Sequence, residues 1–130
     1  MFDHISIGVA DLERSVAFYD ATLGVLGYVR LWLTPRAAGY GPAGFDGEAP
    51  FAIIAVGDEA RSTAGLHVAF AASHRKAVAD FHTAALESGG SCDGPPGIRE
   101  NYDPGYYATF VRDPDRHRLE AVIHELRAFE

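Results

Sequence analysis

Residues 4–9 read HISIGV and residues 66–71 read LHVAFA, and both stretches hold a histidine at the same point of two repeating half-chains. In each stretch, large apolar residues alternate with small or polar ones, which is typical of a strand with one buried face. When His4 is laid on His67, further positions match in the same register: Ile5 on Val68, Ile7 on Phe70, Phe18 on Phe81, Ala21 on Ala84, Leu23 on Leu86 and Gly27 on Gly90. A match that runs through a strand, a helix and the following glycine predicts two copies of one supersecondary unit.

Each half continues with an amphipathic helix. Asp11 is the predicted N-cap of the first helix and Ser73 that of the second, and glycines after each helix mark its end. The predicted apolar stripes are Leu12, Val16, Tyr19 and Leu23 in the first helix, and Val78, Phe81, Ala85 and Leu86 in the second. Because the helices should cover the apolar faces of their strands, we expect both histidines on the helix-free side of the sheet.

The remaining strands are predicted over residues 28–34, 51–56, 106–112 and 118–124, the last two forming a hairpin. Two stretches are rich in glycine and proline: residues 37–50, AAGYGPAGFDGEAP, and residues 92–105, CDGPPGIRENYDPG. The first predicts a loop or irregular edge strands, and the second predicts an irregular loop. We expect residues 93–107 to form a lid that selects the ligand.

The composition predicts one compact domain of 130 residues, 48% hydrophobic and 22% charged. A formal net charge of −7 argues against nucleic acid as a partner and favours a small molecule or another protein. Cys92 is the only cysteine, so no intramolecular disulfide can form. No apolar run approaches the roughly 20 residues of a membrane span. The opening MFDHISIGV resembles no signal peptide, and we therefore expect a cytoplasmic protein.

Glu120 indicates where the chemistry lies, because a carboxylate within an apolar strand is costly to bury without a partner. If the two units pack with their helix-free faces towards each other, His4, His67 and Glu120 project into one cavity. Two imidazoles and a carboxylate form a facial set of metal ligands that leaves coordination positions open for a substrate. We therefore predict that this trio holds one divalent ion, with Zn, Fe, Ni and Mn equally compatible.

Other polar residues are weaker candidates. Arg99 could fix an anionic substrate, and the tyrosines at the ends of the loop are candidate ligand contacts: Tyr102, Tyr106 and Tyr107. The remaining histidines are expected to contact solvent or to lie at the edge of the site: His74, His82, His117 and His124. No catalytic acid or base is assigned.

Three stretches together resemble the vicinal oxygen chelate superfamily: DHISIGVADLERSVAFY over residues 3–19, the second histidine at position 67, and FVRDPDRHRLEAV over residues 110–122. That superfamily includes glyoxalase I, bleomycin and fosfomycin resistance proteins and extradiol dioxygenases. The resemblance implies an α+β fold of two paired βαβββ modules, which form a curved mixed sheet around a metal site. The modules would span about residues 1–60 and 65–126 of a single domain, 1–130, often within a homodimer. It also implies His4, His67 and Glu120 as the metal ligands.

Two differences from the superfamily's usual sequence bear on which of its activities this chain would have. Arg116 and His117 replace the family's usual Gly-Asn in the hairpin turn, and residues 51–56 offer no fourth ligand of the glyoxalase I type. The leading hypothesis is a small-molecule lyase, isomerase or dioxygenase that uses the metal to chelate vicinal substrate oxygens. The alternatives are a metal-free protein that sequesters a drug or metabolite, as in the bleomycin-resistance branch, and a catalytically silent dimer in which the trio is a polar cluster.

Overall fold

The computed structural model describes residues 1–125, and the last five positions of the predicted domain lie outside that range. Two βαβββ units follow each other along the chain. The first unit consists of β1 (Ile5–Val9), α1 (Leu12–Val25), β2 (Tyr28–Leu33), β3 (Ala37–Pro42) and β4 (Phe51–Ala55). After a single 3-10 turn, Gly57–Glu59, the second unit consists of β5 (His67–Ala71), α2 (Arg75–Glu87), β6 (Ser91–Ile98), β7 (Tyr106–Arg112) and β8 (Arg118–His124). The predicted fold class, α+β with two such modules, is confirmed.

Each unit forms its own four-stranded mixed sheet with the same strand order. The first sheet runs β1-β4-β3-β2, and the second runs β5-β8-β7-β6. In both, the first strand pairs in parallel with the last, and the other pairings are antiparallel. The sequence repeat therefore corresponds to a repeat in topology. It places His67 on β5, and His4 immediately before β1.

The helices pack against each other, and each covers its own sheet. One hydrophobic core contains residues of both units, among them Ile7, Phe18, Phe51, Phe81 and Leu119. The rings of Phe51 and Phe70 meet edge to face at a centroid distance of 5.1 Å. The helix-covered sides of the two sheets thus share one core, whereas the predicted cavity required their helix-free faces to pack towards each other.

The helix starts follow from side-chain capping. Asp11 is the N-cap of α1, as predicted, and its carboxylate accepts a hydrogen bond from the backbone N–H of Arg14 at 3.1 Å. The predicted cap Ser73 is wrong, because His74 takes that position in α2: its Nδ1 accepts from the N–H of Ala77 at 3.1 Å. An imidazole nitrogen supplies the acceptor that a hydroxyl was expected to supply.

The two glycine-rich stretches contain more strand than predicted. Ala37–Pro42 is β3, an interior strand between β4 and β2. Gly39 leaves room there for the indole of Trp32, because a Cβ on Gly39 would lie only 2.4 Å from that ring. Similarly, residues 93–98 belong to the edge strand β6, whose pairing with β7 is interrupted by register shifts. Prolines are tolerated at an edge because one side of the strand needs no donors. The predicted loop is therefore reduced to residues 99–105.

Neither α1 nor α2 has the length and apolarity to span a membrane, and these are the α-helices of residues 1–125.

Candidate metal and ligand site

Glu120 lies on β8 with its carboxylate on the helix-free face of the second sheet. Its side chain is 1% exposed, and its paired neighbours are apolar: Phe110 on β7 and Ala69 on β5. Leu119 and Ala121 point to the core side instead. The alternation of side chains along β8 thus places the Glu120 carboxylate on the face that the helices do not cover, where it is nevertheless buried. A buried carboxylate needs polar partners.

Two side chains supply those partners. Nε2 of His67 lies 3.2 Å from Oε1 of Glu120, and the hydroxyl of Tyr106 donates a hydrogen bond to Oε2. Burial, followed by the contact with the carboxylate, raises the pKa of Tyr106, which keeps its hydroxyl protonated and donating. The side chain of His67 is 51% exposed, so the pair is open to solvent on the histidine side.

His4 is not part of this pair within one chain. Its imidazole is exposed, and its Nδ1 hydrogen-bonds to Oδ1 of Asp3 at 2.7 Å. That hydrogen bond raises the pKa of His4. Residues 1–125 of one chain contain no group of three or more histidine, cysteine, aspartate or glutamate side chains that could hold a metal ion. The structure therefore brings together His67 and Glu120 but leaves His4 apart.

The tyrosines predicted to contact a ligand divide between the two faces of the sheet. The ring of Tyr102 contacts that of Tyr106 in a tilted arrangement at a centroid distance of 4.9 Å, and Tyr106 meets His124 edge to face at 4.8 Å. Tyr107 points the other way, and the guanidinium of Arg75 lies 4.8 Å from its ring centre. Tyr102 and Tyr106 thus share the face of Glu120, whereas Tyr107 does not.

A pocket of about 410 Å³ opens beside the pair, and its lining includes His67, Arg99, Tyr102, Phe110 and Arg118. This volume is within the range of small-molecule sites. Arg99 and Tyr102 were predicted from the sequence, whereas Arg118 was not. Its position in the strand could have indicated it, because Arg118 lies two residues before Glu120 and therefore on the same face of β8.

His117 differs most from expectation. It was expected to contact solvent in the hairpin turn, but it is 8% exposed, and its Nε2 donates to the carbonyl oxygen of Gly8 at 2.7 Å. Asp115, in the same turn, accepts from the N–H of Ala10 at 3.2 Å and from Arg14 at 3.0 Å. The turn of the second unit therefore docks on the β1–α1 junction of the first, where a solvated loop was expected.

Comparison with known proteins agrees with this architecture. A sequence model of the Glyoxalase/Bleomycin resistance protein/Dioxygenase superfamily matches residues 1–121. The chain therefore belongs to that superfamily, and the resemblance seen in the sequence is confirmed. No curated protein sequence matches the chain.

Solved structures with the same fold cover nearly the whole chain. A glyoxalase/bleomycin resistance protein from Albidiferax ferrireducens is 33% identical, with a TM-score of 0.80 over 94% of this chain and 97% of that one. A glyoxalase-related enzyme from Fulvimarina pelagi is 22% identical, with a TM-score of 0.70 over 94% and 86%. The fosfomycin resistance protein FosX from Listeria monocytogenes is 19% identical, with a TM-score of 0.68 over 97% and 94%. The last two similarities concern the fold alone.

Proposed function

We propose that the chain is a metalloprotein that acts on a small molecule with vicinal oxygens, as a lyase, isomerase or dioxygenase, and that its divalent ion is held by His67, Glu120 and the partner subunit's His4. The observation that carries the proposal is the buried carboxylate of Glu120, 3.2 Å from an open imidazole nitrogen of His67. A buried carboxylate beside an imidazole is a site that a cation stabilises.

The state of His4 also supports this assignment. Because its Nδ1 donates to Asp3, its Nε2 is left as the free nitrogen, and an imidazole held by a carboxylate in this way is the usual form of a metal-ligating histidine. The side chain is 50% exposed and can therefore meet a second copy of the chain. Homodimerisation would bring it to the His67–Glu120 pair, which the fold of one chain does not do.

Exposed apolar side chains on the helix-free face of the first sheet favour the same dimer. Trp32 and Ile54 are each 37% exposed, and their register places them on the face of Ser6 and Gly8. On the second unit, Leu66 beside His67 is 51% exposed. Apolar surface of this kind is commonly buried in an interface.

Each residue of the proposed site has a distinct role in binding the metal or the substrate. His67, Glu120 and the partner subunit's His4 would hold the ion, and Tyr106 fixes the orientation of the Glu120 carboxylate. When bound, the ion supplies Lewis acidity that polarises the vicinal oxygens of the substrate and stabilises developing negative charge. Tyr102 and Phe110 offer aromatic surface for the body of the substrate.

Metal content tests the proposal directly. Protein purified without an affinity tag or chelator should contain close to one divalent ion per chain, and His67→Ala and His4→Ala should each lose it. His82→Ala, a change on α2, serves as the matched control and should retain the metal. If wild type binds no ion even after reconstitution with Zn, Fe, Ni and Mn, the proposal is wrong.

A metal-free protein that sequesters a drug or metabolite is the second candidate. It is favoured by an apolar pocket of about 270 Å³ between the units, lined in part by Leu23, Tyr28, Tyr40, Phe51 and Phe70. This candidate predicts that binding of an apolar ligand persists unchanged in His67→Ala and is lost when the pocket is filled by Ala71→Trp. The metalloprotein hypothesis predicts no dependence of metal content on Ala71.

A further inference from the structure

The pocket beside His67 and Glu120 is lined by two arginines from different parts of the second sheet. Arg99 follows the end of β6, and Arg118 begins β8. In the parallel pairing of β5 with β8, Arg118 lies directly opposite His67. The two guanidinium groups therefore border the same space as the His67 side chain.

Arg99 is held in place before any ligand arrives. Its Nη2 donates to the carbonyl oxygen of Pro95, and its guanidinium carbon lies 5.5 Å from the centre of the Phe110 ring. Two glycines leave the space it occupies: a Cβ on Gly97 would lie 3.0 Å from Nη1, and one on Gly94 would lie 3.4 Å from Nη2. A guanidinium has five N–H donors, so several remain for a ligand. Because the group is preorganised, little ordering entropy is lost on binding.

Neither pocket arginine forms an ion pair with a carboxylate within residues 1–125. Four other arginines do: Arg14 with Asp115, Arg30 with Asp20, Arg75 with Glu125 and Arg112 with Asp93. Asp93 also lines the pocket, but its carboxylate lies 3.8 Å from the Nε of Arg112 and is partly balanced there. A chain with a formal net charge of −7 thus keeps two cations without acidic partners in one pocket.

We propose that this pocket binds the anionic group of the substrate, a carboxylate, phosphate or phosphonate, between Arg99 and Arg118. Guanidinium groups bind these oxyanions with paired, charge-assisted hydrogen bonds. The proposal rests on the proposed function, since it names the substrate class of the same site: a small anion whose vicinal oxygens lie towards His67 and Glu120. The rings of Tyr102 and Phe110 would contact its apolar part.

The test uses metal-free protein and three small anions. Inorganic phosphate, methylphosphonate and acetate are titrated separately, and binding is followed by the backbone and arginine side-chain N–H signals in ¹H–¹⁵N NMR spectra. The neutral dimethyl ester of methylphosphonate is the control probe. We expect saturable shifts at residues of the pocket with at least one anion and none with the ester. Comparing phosphate and methylphosphonate with acetate then decides between a phosphoryl and a carboxylate group.

Variants assign the binding to the arginines. Arg99→Gln and Arg118→Gln should each weaken binding about tenfold, the loss expected for a charge-assisted hydrogen bond. Arg61→Gln is the matched control, because Arg61 is exposed in the connection between the units and bonds only backbone carbonyls there. Arg99→Lys keeps the charge and gives a second readout if Arg99→Gln fails to fold, with an intermediate loss expected.

Absence of saturable binding to wild type, or an equal loss in Arg61→Gln, would overturn the proposal. Titration of the same proteins with Zn, Fe, Ni and Mn separates this result from the test of the metal site. Phosphate binding through the arginines in a protein that binds none of the four ions would support the anion site and contradict the proposed function. Metal binding without anion binding would support the proposed function and contradict the anion site.

Discussion

The hydroxyl of Tyr106 donates a hydrogen bond to one oxygen of Glu120, while the other oxygen of that carboxylate lies 3.2 Å from Nε2 of His67. Tyr106 comes from β7, Glu120 from β8 and His67 from β5, so three strands of the second sheet converge on one buried carboxylate. The phenol fixes the carboxylate on the side away from the histidine. This leaves the histidine side as the open side of the pair.

Removing that phenol should weaken metal binding. Tyr106→Phe deletes the hydrogen bond that orients Glu120, and loss of such a supporting contact typically lowers metal affinity about 10- to 100-fold. Competition with a chelating dye measures the Kd. Tyr107→Phe is the matched control, because Tyr107 lies on the opposite face against Arg75. An equal loss in both variants would show that Tyr106 acts only through general stability.

Mixing two inactive variants distinguishes a site across the dimer from a site within one chain. His4→Ala and His67→Ala each remove one ligand, so neither homodimer should hold metal. In the proposed two-fold dimer, a heterodimer of the two variants would pair the intact His4 of one subunit with the intact His67 and Glu120 of the other, and one complete site would form. Unfolding and refolding the mixture should therefore restore part of the metal content. Each variant refolded alone is the control, and failure of the mixture to regain metal contradicts the shared site.

The link between Tyr19 and Asp113 should contribute strongly to stability. The Tyr19 hydroxyl donates to Oδ2 of Asp113 at 2.6 Å, both residues are buried, and the bond joins α1 to the β7–β8 turn. Tyr19→Phe removes a donor from a buried carboxyl and should lower the free energy of unfolding by about 1.5–3 kcal/mol. Urea denaturation measures the change. Tyr102→Phe, at an exposed tyrosine, should change it by less than about 0.5 kcal/mol.

Asp113 should make stability depend on pH in a defined direction. Burial raises the pKa of its carboxyl above the ordinary 3.8, although the Tyr19 hydrogen bond opposes that shift. The folded state therefore binds the proton more tightly than the unfolded state, and the stabilising contribution of this proton is lost as pH rises through the folded pKa. Relative to Asp113→Asn, wild type should lose stability as pH rises from about 3 to 7. Urea denaturation at several pH values measures this difference, and a constant difference would contradict the assignment.

The repeat and the helices could be predicted from the sequence, because both depend on local periodicity. The assignment of His4, His67 and Glu120 as metal ligands stays a prediction. The strand parity of residues 4–9 and 66–71 was enough to predict where His67 stands, and the cost of burying Glu120 was enough to single it out. What local pattern could not supply was the packing of one unit on the other. It therefore gave no sign that His4 lies apart from the pair in one chain, or that His117 is buried against Gly8.

The incorrect predictions for the two glycine-rich stretches have a related cause. Strand propensity counts Gly39 against a strand, but the tertiary contact with Trp32 requires a residue without a side chain at that position. In β6, Pro95 and Pro96 would disrupt an interior strand, and only the topology reveals that this strand is at an edge. Both errors arise because propensity is assessed residue by residue, whereas strand formation here depends on a side-chain contact in one case and on the position of the strand in its sheet in the other.

Arg116 carries a strain that a glycine should relieve. Its φ is +70°, and it is the one non-glycine residue with positive φ in the described part of the chain. A side chain in this left-handed region crowds the backbone, whereas glycine adopts it freely. Arg116→Gly should therefore be more stable than Arg116→Ala by about 1 kcal/mol, although glycine loses more entropy on folding. Urea denaturation of the two variants checks this. Both variants lose the exposed arginine side chain, so the difference between them reports the backbone conformation at position 116. A more stable alanine variant would contradict the prediction and show that the turn relaxes to negative φ.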